Sequence, residues 1–409
     1  MFKTKDSPKS VFVILCLMGL FAILSSTLSK NPVLKPFATS LGAPNDLVGL
    51  VASASTIPGI LVSLPAASLS DVFGRRKILM FSAFIFASAP FLYLFVTSWW
   101  QLIPVRFYHG FATAIFVPVT EATIAEKFPT KLGERISLFS SVTAAGRATA
   151  PFLGGYILFL TDYGYKSLYL AVGIAGVTAF ITGLLFLVEQ KKTKTQDANY
   201  NPTKGRMVQG WLKVAKNHDL QVVGLIQASQ YYVFGSVEFF LVGYLAEVAR
   251  LDPFSIGVIM GSQVIVLILA RPFMGKVSDK IGRRIPIILG SIISCVILAV
   301  FPFSTHFLTL LFLSMMYGLG FATVIASTSP LTCEIVPSNL LGTSLGFLST
   351  LMDVGQTLGP IISGIILATS LQYSSIFFSL SLILIASTIV FMQQNVKKSI
   401  VIDNNTKID

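Results

Sequence analysis

The chain has 409 residues, a formal net charge of +12 and a hydrophobic content of 54%. Charged residues are only 12%, against roughly 25% in a soluble domain, so a large water-soluble core is excluded. The basic excess does not point to nucleic acid, because Lys and Arg gather in short stretches between apolar runs, as positive-inside membrane topology requires. Cys16, Cys295 and Cys333 lie in or beside apolar runs and are odd in number, which argues against a disulfide framework and a metal site.

A membrane span needs about 20 mostly apolar residues. The first run, 11–28, follows Lys3, Lys5 and Lys9. It is too long for the apolar core of a signal peptide and is followed by many more spans. Runs at 47–68, 78–97, 101–124, 136–160 and 168–188 complete a first set of six. A polar, Lys-rich stretch, 189–218, reads as a solvated linker. Six further runs follow at 220–245, 254–275, 286–304, 307–331, 341–366 and 372–393. The predicted fold is therefore all-α and integral to the membrane, with twelve transmembrane helices. The predicted units are a six-helix bundle at 1–188, a linker at 189–218, a second bundle at 219–394 and a polar tail at 395–409. The basic loops include 69–77, 125–135, 276–285 and 332–340, whereas the opposite loops hold few cations, among them Lys30 and Lys35. Both termini are thus expected in the cytoplasm.

Two short turns between apolar runs carry the same pattern. Leu69-Ser70-Asp71-Val72-Phe73-Gly74-Arg75-Arg76 returns as Val277-Ser278-Asp279-Lys280-Ile281-Gly282-Arg283-Arg284, 208 residues later. Glu126 stands at the same offset from Glu334, and Ala150-Pro151 lies 209 residues before Gly359-Pro360. Matches at nearly one offset indicate a duplicated six-span unit with two pseudo-symmetric halves.

These residues resemble the major facilitator superfamily. Its loop G-x-L-A-D-R-x-G-R-R/K is matched by 67–76, with Ala67 for the leading Gly and Val72 for the first Arg. Arg106-Phe107-Tyr108-His109-Gly110 resembles the family's R-x-x-Q-G. Gly146 with Ala150-Pro151-Phe152-Leu153-Gly154-Gly155 resembles the antiporter motif, with Ala150 in place of Gly. The resemblance implies two six-helix bundles around a substrate site, in the manner of twelve-span drug:proton exporters. It also implies a cytoplasmic gate that joins the halves through charge clusters. The candidates are Asp71, Gly74, Arg75, Arg76 and Glu126 in one half, and Asp279, Gly282, Arg283, Arg284 and Glu334 in the other.

Ionisable groups at bilayer depth are costly and mark function by default. Arg106, Glu121, Arg147, Glu238 and Asp353 are therefore the candidates for proton or substrate binding. Glu238, in span seven, is the favoured acid, while Arg147 and Asp353 are expected to order their own helix interfaces. His109 is more simply a hydrogen-bonding helix residue, and Arg271 lies close enough to the membrane surface to snorkel. Gly146, Pro151, Gly154 and Gly155, with Gly355, Gly359, Pro360 and Gly364, form small faces for close helix packing. The expected activity is export of small amphipathic compounds by proton antiport. A metabolite or sugar carrier, or a transporter-like receptor, is the alternative. The expected partners are a small-molecule substrate, protons and the lipid bilayer, without nucleic acid, cofactor or catalytic residues, and the expected state is a monomer in the plasma membrane.

Overall fold

The computed structural model describes residues 8–62, 70, 73–128, 132–186, 214–337, 340–370 and 372–394. Among these residues there is no strand, and ten helices are long and apolar enough to cross a bilayer. This outcome follows from solvent. Lipid offers no hydrogen bond to a peptide group, so an apolar chain must pair its amides internally, and a helix does so within one segment.

The first half contains α1 (Pro8–Leu28), α2 (Val48–Val62), α3 (Arg75–Leu92), α4 (Leu102–Lys127), α5 (Leu132–Leu160) and α6 (Tyr165–Phe186). The second contains α7 (His218–Gly243), α8 (Pro253–Ile281), α9 (Arg284–Val300), α10 (Phe307–Ile335), α11 (Leu341–Leu367) and α12 (Gln372–Gln393). Two of these are not among the ten strongly apolar spans. α2 is short and broken, and α5 is diluted by Arg147 and many small or polar residues. The predicted linker lies largely outside the described residues.

Several helix starts are written locally. The Asn217 side chain accepts from the Leu220 amide at 3.0 Å to begin α7. Asp252 accepts from the Phe254 and Ser255 amides at 3.0 and 3.1 Å to begin α8, with Pro253 at the first position. Both satisfy amides that a helix start leaves unpaired. At Asp252, burial works against the charged form, but the bonds from Ser255 and Phe254 outweigh it and hold the carboxyl below its usual range.

The duplication is visible in the packing. The pairs α1–α5, α1–α6, α3–α4 and α3–α6 recur as α7–α11, α7–α12, α9–α10 and α9–α12. The halves meet through α2–α11 and α5–α8, which are symmetry equivalents of each other. The turn glycines match too. Gly74 has φ 95° and Gly282 has φ 88°, a region that side-chain-bearing residues rarely enter. Large apolar side chains such as Phe81, Ile174, Leu269 and Leu382 stand on the outside, while Arg106, Lys35, His109 and Gln230 are buried. This inversion suits a protein whose solvent is lipid.

The small faces act as expected in packing but serve more than one partner. A Cβ on Gly146 would stand 2.6 Å from the Leu20 carbonyl of α1. One on Gly155 would stand 2.9 Å from the Gly257 Cα of α8, in the other half. Gly355 and Gly359 press on the backbone of α7 at Ala228 and Tyr232, and Gly364 meets the Gly49 amide of α2. Pro151 and Pro360 are interior to α5 and α11.

Candidate functional site

The two Arg-Arg turns sit at one end of the molecule. Arg283 lies 2.5 Å from Asp279 and 2.9 Å from Glu334, and its Nη1 donates to Ser278 at 3.2 Å. In the first half Arg75 meets Glu126 at 3.4 Å and also donates to Ser70. Asp71 lies outside the described residues. Arg75 and Glu126 thus pair in the first half, and Asp279, Arg283 and Glu334 in the second. These ion pairs tie neighbouring helices of one half, α3 to α4 and α8 to α9 and α10. The cause is placement, since the Arg of each turn opens the helix that packs beside its own Glu. Arg76 and Gly74 belong to the same turn, and the Arg284 guanidinium donates to the Met392 carbonyl of α12.

The bridge between halves lies at the opposite end. Lys35 sits in a short helical segment, Leu34–Ser40, and its side chain is only 2% exposed. Its Nζ donates to Glu247 Oε1 at 2.9 Å and to Thr39 Oγ1 at 3.0 Å. Glu247 stands in a π-helical turn, Tyr244–Val248, that extends α7. Its second oxygen accepts from the Tyr373 hydroxyl of α12 at 2.8 Å. One layer further in, Asn31 Nδ2 donates to Glu238 Oε1 at 2.9 Å. Ser53 of α2 donates to the Thr357 carbonyl of α11 at 2.6 Å. With the Gly155–Gly257 approach, these contacts close this end across the halves. Topology had assigned Lys35 to a loop; no local signal in the sequence pairs it with Glu247, 212 residues away.

Between the two ends lies a cavity of about 390 Å³. Its wall runs from Ser29 and Lys30, beside the sealed end, to Glu121 and Ser349, toward the Arg-Arg end. Arg106, Glu121, Arg147 and Asp353 all line it, and Glu238 lines a smaller continuation that shares Lys30 and Arg106. The structure thus gathers all five predicted membrane-depth ionisable groups. It adds Lys30, which charge counting had placed in a loop. It also corrects the expectation for Arg147 and Asp353. They come from opposite halves, as predicted, but face one shared space instead of separate helix interfaces. Asp353 reaches across to α2: its Oδ2 lies 3.1 Å from where a Cβ on Gly59 would stand.

Arg106 has a defined structural task. α2 breaks at residues 54–56, just before Pro58. Pro58 has no amide to donate, and at the turn the Thr56 amide bonds the Ser53 carbonyl instead of that of Ala52, so helical pairing is lost here. The Arg106 Nε donates to the Val51 carbonyl at 2.7 Å, and Nη2 donates to the Ala52 carbonyl at 3.2 Å and the Ser55 hydroxyl at 2.6 Å. Residues deeper in the wall are packed by rings. His109 lies edge-on to Phe86 and Tyr93, both at 6.1 Å, and its Nε2 has no partner among the described residues. Phe234 stacks on Phe321 at 4.6 Å, which ties α7 to α10. Arg271 is exposed, as snorkelling requires.

Comparisons with known proteins agree with this architecture. The chain is 25% identical over 360 residues to the multi-drug resistance efflux pump PmrA of Streptococcus pneumoniae, covering 86% of this chain and 88% of the relative. It is 23% identical over 357 residues to the riboflavin transporter RibZ of Clostridioides difficile, covering 76% and 78%. The solved nucleoside transporter NupG superimposes with a TM-score of 0.79 at 14% identity, covering 94% of this chain and 98% of that one. The family model described as Major Facilitator Superfamily matches residues 11–246 and 223–406. With the duplicated bundles, the two gate-type turns and the shared cavity, the chain belongs to the Major Facilitator Superfamily.

Proposed function

We propose that this transporter exports small amphipathic compounds by alternating access with proton antiport. The carrying observation is the cavity between the halves, sealed at the Lys35 end, extended toward the Arg-Arg end and lined by ionisable groups. Such a cavity can load from one side only. With the Arg-Arg end in the cytoplasm, as the positive-inside rule requires, this is the state from which an exporter would take up its substrate. The chain would then be a multi-pass protein of the plasma membrane with both termini inside. The likeness to PmrA supports efflux.

For the proton, Asp353 is better placed than Glu238. The Asp353 carboxylate makes no hydrogen bond or ion pair among the described residues, whereas that of Glu238 accepts from Asn31 at the sealed end. The charged and titratable groups on the surrounding elements are Lys30 of the α1 end, Arg106, His109 and Glu121 of α4, and Arg147 of α5. The test is flux in proteoliposomes under an imposed pH gradient, with ethidium as reporter. Gradient-driven accumulation that Asp353→Asn abolishes is the expected result. Flux indifferent to both the gradient and the variant overturns antiport. The likeness to RibZ favours a second reading, a carrier of a metabolite on the same cavity. Substrate-dependent flux of riboflavin without ethidium flux would select it.

A further inference from the structure

The charges of the cavity are sorted by half. The first half contributes Lys30, Arg106 and Arg147 to its walls, and the second contributes Asp353, with Glu238 in the continuation. The one acid from the first half, Glu121, lies on α4 nearer the Arg-Arg end. Sorting alone would carry little if the groups were already paired. They are not: the side chains of Lys30, Arg147 and Asp353 form no hydrogen bond or ion pair among the described residues. Arg106 is different, because its Nε and Nη2 donors are engaged at the α2 break. Lys30 and Arg147 of the first half and Asp353 of the second thus face one space from opposite walls, with the Glu121 carboxylate nearer the Arg-Arg end. Ala114, Val117, Pro118 and Met352 supply apolar wall beside them.

A wall of this kind disfavours simple ions. A lone organic cation would satisfy Asp353 and leave Lys30 and Arg147 unpaired as the cavity dries on closing. A lone organic anion would do the reverse. An unpaired charge in a low-dielectric space is strongly unfavourable, so the ligand that most favours closure presents both signs, and a lone cation such as ethidium is carried less well. We propose that the cavity selects amphipathic zwitterions, with an acid group toward Lys30 and Arg147 and a protonated amine toward Asp353. This rests on the transport reading above and names the substrate class for the same site. Charge-assisted hydrogen bonds to both walls would draw the halves together. The discrimination arises because each analogue lacking one charge leaves a protein charge without its partner.

The test needs one probe in three forms: dansyl-lysine carrying the dansyl group on its side-chain nitrogen, its methyl ester, and its α-N-acetyl derivative. Binding is read by fluorescence with the purified wild-type protein in nanodiscs. The zwitterion is expected to bind at least ~10-fold tighter than either singly charged form. Arg147→Gln should erase the advantage over the ester, which lacks the carboxylate. Asp353→Asn should erase the advantage over the acetyl form, which lacks the amine. The wild-type comparison stands even where a variant fails to fold. Equal affinities, tightest binding by a singly charged form, no binding by any form, or a preference untouched by both variants overturns the proposal. Proton-driven ethidium flux alongside any of those results would overturn the substrate class and leave the export reading intact. Absence of flux for every probe would overturn both.

Discussion

At the residue scale, the most informative side chain is Arg106. As a bare sequence feature it was a cation at membrane depth and hence a candidate for proton coupling. In the fold it holds two carbonyls and one hydroxyl at the break in α2. Leaving a buried carbonyl unpaired costs about 1–3 kcal/mol. Arg106→Ala is therefore expected to lower thermal stability in detergent by an amount matching several kcal/mol. Arg106→Lys should recover only part of the loss, since an ammonium cannot reproduce the planar fork. Gly282 is a second test at this scale. Its φ of 88° strains any other residue, and Gly282→Ala should destabilise by about 1–3 kcal/mol. Gly74→Ala should behave alike, because the two turns are copies. A third case is Asp252, whose carboxyl is held low by Ser255 and Phe254. A depressed pKa contributes stability that is present above the unfolded value and lost as pH falls through the folded one. The thermal stability of the wild type should thus decline below the usual carboxylate range, and Asp252→Ala should reduce that decline while removing about 1 kcal/mol of helix capping at neutral pH.

At the scale of the element, the helices were easy to read and their breaks were not. A run of apolar residues is a span whatever it packs against, so eleven of the twelve runs appear as continuous helices within a few residues of the predicted limits. The second run is the exception. Pro58 and the turn at 54–56 split it, and the split is tolerated because Arg106 comes from α4 to satisfy it. The small faces show the same limit. Spacing along α5 marks Gly146, Gly154 and Gly155 as packing sites, but it does not say that Gly146 faces α1 while Gly155 faces α8. That division gives opposite expectations for one substitution. Gly146→Val should destabilise the first half itself, seen as a lowered Tm. Gly257→Val should leave each half folded and hinder closure of the Lys35 end, seen as increased labelling of a cysteine placed at Thr39.

At the scale of the whole molecule, closure is carried by an ion pair that joins the halves. Lys35 is almost fully buried, and Glu247 is 44% exposed and held by Tyr373. Removing one partner leaves a buried ammonium, so Glu247→Gln should slow transport more than a surface pair would. Lys35→Glu and Glu247→Lys are each expected to cut flux about tenfold, equivalent to about 1.4 kcal/mol, with recovery in the exchanged double variant. Spin-label distances across the Lys35 end should widen in the single variants and return in the double. Unchanged distances would mean that the glycine contacts alone hold this end closed.

The sequence by itself determined the membrane character, the order of the apolar helices, the duplication, the two Arg-Arg turns and five of the ionisable groups that line the cavity and its continuation. These depend on composition, period and repeat, which survive in one dimension because lipid imposes them on each segment separately. Only the tertiary structure decided which charges meet. Lys35 with Glu247, Asn31 with Glu238, and Arg147 facing Asp353 across a cavity all join distant segments of the two halves. The repeat relates equivalent positions, not touching ones, so no pattern along the chain could pair them. The same reason applies to the turns: the duplication marks equivalent residues, and packing brings Arg75 to Glu126 and Arg283 to Asp279 and Glu334.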